Sequence, residues 1–204
     1  DGIPAEKITL CPYGVDINRF SPNPIERDNK TFKVLFVGKL TQRKGIKYLL
    51  EAFSEIDLPN VELILMGAIA GDGEALKPYR DIFTHISNVP YDALPCYYQS
   101  ADIFVYPSLH EGSALAIYEA LASGLPVVTT FNSGSVVRDA IEGYVVPVQD
   151  PDAIKEKIEA LYHNIPLRKK MGAAARLRAE TFSWEAYQER VARIYKEILC
   201  EEIK

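Results

Sequence analysis

Glu111 and Glu119, separated by seven residues, and the cations Lys39, Arg43 and Lys44 are the side chains whose types and spacing suit chemistry on an anionic ligand. Glu119 is the only charged residue between Ala114 and Leu125, and burying an unpaired carboxylate in so apolar a run is costly. It needs a partner, either a bound ligand or an internal salt bridge to Lys39 or Lys44. Glu111 stands just before that run, as a second ligand-facing carboxylate or as a helix-start charge stabilised by the dipole. Between the two, Gly112 allows close backbone approach, and Ser113, Ala114 and Leu115 offer amides to a phosphate, Ser113 alternatively serving as N-cap. The loop from Gly38 to Gly45 gathers its cations at or before a helix start, where the dipole disfavours each by roughly 0.3–1 kcal/mol when exposed. Cations placed against stability suggest a bound anion, and solvated loop lysines are the alternative. His110 lacks the spacing of a zinc-binding helix and reads as a turn histidine, and His85 and His163 are equally ordinary. Tyr91, Tyr97 and Tyr98 suit core or rim packing better than a base pocket.

These residues need elements to hold them. Asp102–Tyr106 and Pro126–Thr130 are apolar runs flanking the Glu111–Glu119 segment, which therefore reads as strand, tight turn, helix, strand. The strand candidates are Lys33–Val37, Val61–Met66, Ile86–Val89, Ile103–Tyr106, Val127–Thr130 and Tyr144–Val148. Helical periodicity fits Gly45–Ile56, with Ile46, Leu49, Leu50, Phe53 and Ile56 on one stripe. Further helices fit Gly73–Phe83, Ala93–Ser100, Ala114–Ser123, Ser135–Ile141, Asp152–His163 and Pro166–Glu180. Asp72-Gly73 marks a turn before a helix, and Arg138-Asp139 reads as a local ion pair on one. Alternating strands and helices imply right-handed crossovers and an α/β, Rossmann-like, doubly wound parallel sheet. A last helix starts near Ser183 as N-cap and presents Trp184, Tyr187, Val191, Ile194 and Ile198. That face needs a surface, which a partner domain would supply. Asp16–Lys30, with Pro22 and Pro24, reads as linker or loop.

The composition fits an ordinary soluble domain, with 204 residues, 48% hydrophobic and 25% charged. A formal charge of −5 argues against a nucleic-acid-wrapping surface while allowing a local basic pocket. Cys11, Cys96 and Cys200 are odd in number and widely spaced, as expected for free thiols in a reducing, cytoplasmic setting. No apolar stretch is long enough to cross a bilayer, and no signal peptide is visible. The opening Asp1-Gly-Ile-Pro4, without methionine, suggests part of something longer.

In order, Pro12-Tyr-Gly-Val-Asp16, Phe20-Ser-Pro22, Val37-Gly-Lys-Leu40 with Lys44-Gly45, Tyr98 with Ala101-Asp102, and Pro107-Ser108 form a series. It continues through Glu111 and Glu119, Gly124-Leu-Pro-Val-Val128, Gly143-Tyr-Val-Val-Pro147 and Phe182-Ser-Trp184. Across essentially the whole chain this series resembles the retaining glycosyltransferases of family 4, the glycosyl transferases group 1. The resemblance implies the C-terminal half of a GT-B enzyme, two Rossmann-like domains facing across a cleft. Residues 1–30 would be the end of the first domain and the interdomain linker, 31–182 the nucleotide-sugar-binding domain, and 183–204 a helix packing on the preceding domain. It also implies a hexosyl group moved from an NDP-sugar (UDP-, GDP- or ADP-sugar) to a glycan, lipid or small-molecule acceptor bound mostly by that preceding domain. Any membrane contact would lie there too.

Carried over by residue, Lys39 and Lys44 match the basic pair on the donor diphosphate, and Gly38 lies in the same loop. The backbone of Gly112, Ser113, Ala114 and Leu115 matches the phosphate loop. Glu119 matches the ribose-binding carboxylate, and Glu111 the one facing the transferred sugar. No separate cofactor is implied, and lysines with helix-start amides would do the work a metal does elsewhere; the sequence has no Asp-x-Asp cluster. Lys39 stands where arginine is usual, and Glu111-Gly-Ser-Ala114 replaces the common Glu-Gly-Phe-Gly. A nucleotide-sugar epimerase or a non-catalytic nucleotide-binding domain of the same fold is the alternative; a phosphorylase would need a cofactor lysine whose context is absent.

Overall fold

The computed structural model describes residues 2–23 and 30–201. Residues 24–29 of the expected linker and the last three of the terminal helix lie outside them. Among the described residues six strands form one all-parallel sheet: β1 (Phe32–Val37), β2 (Val61–Met66), β3 (Phe83–Ile86), β4 (Ile103–Tyr106), β5 (Val127–Thr130) and β6 (Gly143–Val146). Their order is β3-β2-β1-β4-β5-β6. The expected doubly wound sheet is thus present, and its winding reverses between β1 and β4. Strands covered on both faces read as continuous apolar runs, and every residue of β4 and β5 is buried.

Six α-helices accompany the sheet among the described residues: α1 (Ile46–Ser54), α2 (Leu94–Ser100), α3 (Leu115–Ala122), α4 (Pro151–His163), α5 (Ile165–Glu180) and α6 (Trp184–Glu201). The stripe on α1 is in the core at Ile46, Leu49, Leu50 and Phe53, each such side chain contributing about 1.5–3 kcal/mol by leaving water. α4 starts where the Asp150 carboxylate accepts the Ala153 amide at 2.9 Å, and α5 where Asn164 accepts that of Leu167 at 2.9 Å.

Four expectations need correction. The third strand is Phe83–Ile86, not Ile86–Val89, because its register pairs Leu63 with Phe83 and Met66 with Ile86. Past that point Pro90 has no amide for a ladder. The expected helix at Gly73–Phe83 is instead a 3-10 helix over Glu74–Ile82 with Pro78 inside it. Ser135–Ile141 is not helical. There Ser135 Oγ accepts the Val137 amide at 2.9 Å and Glu142 accepts that of Arg138 at 2.8 Å, so side chains take amides a helix would use. Arg138 accordingly pairs with the fully buried Glu142, not with Asp139, whose carboxylate accepts the Val145 amide at 2.9 Å.

The chain's entry is fastened to this domain. Val15 and Phe20 are buried, and the Val15 amide donates to the Phe182 carbonyl at 2.8 Å. On α5, Arg176 Nη1 donates to the carbonyls of Ile17, Phe20 and Ala122, each at 2.9 Å. On α6, Arg190 donates to the Pro12 carbonyl at 2.8 Å. Ser183 caps α6 as expected, accepting the Ala186 amide at 3.2 Å. The far part of α6 leaves Tyr195, Ile198 and Leu199 exposed.

Candidate functional site

The carboxyl ends of β1 and β4 meet at the reversal of the winding, which is where open α/β sheets bind ligands. Gly38–Gly45 leaves β1, Pro107–Ala114 leaves β4, and Phe131–Gly134 leaves β5. Backbone bonds join the three loops. Leu109 donates to the Arg43 carbonyl at 2.8 Å and Glu111 to that of Asn132 at 2.8 Å. Ser108 Oγ donates to the same Arg43 carbonyl at 3.0 Å, and Asn132 Nδ2 to that of Leu109 at 3.0 Å. Two glycines make this closeness feasible. Gly45 has φ 75° and a Cβ there would lie 1.9 Å from the Pro107 carbonyl oxygen; Gly134 has φ 60° and its Cβ would lie 2.1 Å from that of Gly112.

On this frame Lys44 and Glu111 form a direct ion pair, both largely shielded from solvent, and Arg43 Nη2 lies 3.4 Å from the same carboxylate oxygen. The lysine-paired carboxylate is therefore Glu111, not Glu119. Thr41 closes the 3-10 turn Gln42–Lys44, with Oγ1 accepting the Lys44 amide at 3.3 Å. The Lys44 ammonium sits 5.3 Å from the centre of the Tyr106 ring. Burial pushes the Tyr106 hydroxyl up and the neighbouring Lys44 opposes that shift. Lys39, the first residue beyond Gly38, is exposed and makes no ion pair with any described residue.

The start of α3 lies beside the pair. Ala114 is its N-cap residue and no side chain caps it, so the expected capping by Ser113 is not found. The Ser113 hydroxyl instead lies 3.0 Å from that of Tyr118 and 3.3 Å from the Gly134 carbonyl. The Ala114 amide donates to the Ser133 carbonyl at 3.2 Å. It is therefore spoken for, whereas Gly112, Ser113 and Leu115 have no such backbone acceptor among the described residues. A Cβ on Gly112 would meet nothing within 4 Å, so nothing in the protein itself calls for glycine there.

Glu119 is 6% exposed on the inner face of α3. Its Oε2 accepts from the Tyr98 hydroxyl at 2.7 Å. Burial pushes its carboxyl up from 4.5 to about 7, against the opposing pulls of the Tyr98 hydrogen bond and Arg19. Tyr98 was expected in core or rim packing, which its burial bears out, but its contact with Glu119 and the charge of Arg19 nearby were not foreseen. A tyrosine in an apolar helix looks like core, which Tyr98 also is, and Arg19 falls in a stretch that reads as linker. Arg19 pairs with Asp92 and lies 4.0 Å from the centre of the Tyr91 ring.

A cavity of about 590 Å³ extends from Glu111, Gly112 and Ser113 towards His110, Phe131 and Leu10. A larger opening, about 1260 Å³, lies at the amino ends of the strands and is lined by Phe32, Asp102 and Arg168. Its polar groups have structural duties: Asp102 accepts the Lys33 amide at 2.9 Å, and Arg168 donates to the Leu161 carbonyl at 2.7 Å. The smaller cavity adjoins the chemistry. No group of three or more metal-ligating side chains occurs among the described residues, and no described helix is long and apolar enough to cross a membrane.

Comparison with known proteins bears on the family and the fold. D-inositol 3-phosphate glycosyltransferase of Paenarthrobacter aurescens (strain TC1) is 29% identical over 208 residues, covering 90% of this chain and 50% of that protein. The chain spans about half the length of the curated relatives it matches. Among solved structures, sucrose-phosphate synthase from Thermosynechococcus elongatus superposes with a TM-score of 0.79 at 25% identity, covering 95% of this chain and 53% of that one. Anabaena HepE in complex with UDP and glucose shares the fold with a TM-score of 0.77 at 18% identity, covering 90% and 55% of the respective chains. The sequence model of the family described as Glycosyl transferases group 1 matches residues 18–178. The chain belongs to that family, and its fold is that of one half of a GT-B glycosyltransferase.

Proposed function

We propose that this chain is the nucleotide-sugar-binding half of a retaining glycosyltransferase that moves a hexosyl group from an NDP-sugar to an acceptor. The observation that carries this reading is the meeting of Lys44, Glu111 and the uncapped start of α3 where the winding reverses between β1 and β4. Related folds bind such molecules, HepE with UDP-glucose and the pneumococcal O-GlcNAc transferase GtfA with UDP and GlcNAc.

Transfer breaks the bond between the anomeric carbon and a phosphate oxygen, so negative charge grows on the departing diphosphate. Lys44, Lys39 and the amides of Gly112, Ser113 and Leu115 are the donors for that charge. Preorganised donors act most where charge develops, and losing one typically costs about 3–4 kcal/mol of barrier lowering. A diphosphate arriving at Lys44 replaces Glu111 as its counter-ion and releases that carboxylate to accept from hydroxyls of the transferred sugar. Glu119 accepts from the ribose. The acceptor reaches the site from a preceding domain.

Calorimetry with UDP, GDP and ADP tests this reading. At least one should bind the wild-type chain, and both Lys44→Ala and Glu119→Ala should weaken it by about tenfold or more. Equal binding by wild type and both variants would sink the site assignment.

A further inference from the structure

Glu119 carries the ribose contact in the function proposed above, yet an isolated carboxylate on an eight-residue helix has no reason to hold one orientation. Its surroundings supply the reason. Tyr98, on α2, is fully buried, and its ring packs edge-on against Phe20 at 5.6 Å and tilted against Phe104 at 5.7 Å. A ring held by neighbours from the chain entry and from β4 has one available direction for its hydroxyl. That hydroxyl donates to Glu119 Oε2 at 2.7 Å and lies 3.3 Å from the Ala116 carbonyl one turn earlier on α3. No described residue donates to Oε1. Arg19 approaches from the chain entry, held by Asp92 and by the face of Tyr91, and acts on the carboxylate through its charge.

We infer that Tyr98 is a positioning residue for nucleotide recognition: by occupying Oε2 it fixes the Glu119 carboxylate so that Oε1 accepts from the ribose hydroxyls. This rests on the donor-site reading, and it adds that ribose recognition depends on a side chain that never touches the ligand. α2 is thereby part of the specificity apparatus, although its sequence reads as plain core. The Tyr98 hydrogen bond also favours the ionised carboxylate, opposing the burial that pushes the Glu119 carboxyl up.

The test compares the preferred nucleoside diphosphate with its 2′,3′-dideoxy analogue, by calorimetry on the wild-type chain, Tyr98→Phe, Glu119→Gln and the double variant, with a thermal melt confirming that each folds. The wild type should prefer the ribose form. Tyr98→Phe should reduce that preference by about tenfold while leaving dideoxy binding unchanged, and the double variant should lose no more than Glu119→Gln alone. A Tyr98→Phe chain that keeps the wild-type preference, or that loses both ligands equally, overturns the positioning role while leaving the donor site standing. A wild type that binds both ligands equally well overturns the Glu119 ribose contact and this inference with it, and one that binds neither overturns the donor-site reading as a whole. A second measurement needs no variant: the wild-type ribose preference should rise with pH through about 7, as Glu119, faced by Tyr98, Arg19 and Tyr91, ionises. A preference that is flat with pH counts against the Glu119 ribose contact on which the inference rests.

Discussion

Gly112 separates what the fold requires from what a ligand would require. Because its Cβ would point into open space, Gly112→Ala should change the stability measured by urea unfolding by no more than about 0.5 kcal/mol. A diphosphate drawn onto the Gly112 and Ser113 amides would meet that methyl, so nucleoside diphosphate binding should weaken measurably in the same variant. Unchanged affinity would show that the ligand's path avoids this backbone. Glu119 gives a second residue-scale prediction. With its carboxyl raised to about 7 by burial, the folded chain holds a proton that the unfolded chain has released above about 4.5. Between those values the folded state binds more protons, so this group's contribution to stability falls as pH rises from about 4.5 to 7. Glu119→Gln should therefore stabilise the chain relative to wild type at about pH 8 and not at about pH 4.5, measured by denaturant unfolding at both.

At the scale of elements, the site is three loops joined edge to edge, and the glycines at the joints carry the constraint. Gly45→Ala sets a Cβ 1.9 Å from the Pro107 carbonyl oxygen on a residue with φ 75°, so backbone must move. We expect a loss of stability of about 1–3 kcal/mol by chemical denaturation, together with weakened nucleotide binding, because Lys44 and Glu111 sit on the two sides of that joint. What the sequence made legible, and what it hid, follows the same division. β1, β2, β4 and β5 were readable because strands covered on both faces are mostly apolar runs, interrupted here only by Lys33, Glu62 and the two threonines of β5. α1 was readable because its stripe is at helical spacing. Ser135–Ile141 was misread because its periodicity competes with local side-chain bonds from Ser135 and Glu142 that no spacing rule registers. The loops were readable as a cluster of cations and glycines. Which carboxylate takes Lys44 depends on tertiary geometry, so Glu111 could not be told from Glu119. The hydroxyl of Tyr98 was hidden for a related reason, since its ring already accounts for its burial.

For the whole molecule, the carboxyl side of the sheet carries Lys44, the start of α3 and a cavity that opens towards the exposed Leu10 and Phe131. The chain matches about half the length of its curated relatives. We therefore expect the 204-residue chain to bind a nucleotide sugar without measurable transfer to an acceptor sugar. A coupled assay for released nucleoside diphosphate checks this, and turnover by this chain alone would show that the acceptor site is here instead.

Arg176 has a mechanical consequence. By holding the carbonyls of Ile17 and Phe20 together with that of Ala122 at the end of α3, it makes the incoming chain and the helix bearing Glu119 move as one piece. Arg190, gripping Pro12, extends the clasp further upstream. Any swivel between this unit and whatever is joined to its amino end must therefore turn about a pivot before Pro12. Torque on that pivot would be delivered through Arg176 to the carboxyl end of α3 and through Arg190 to the end of α5.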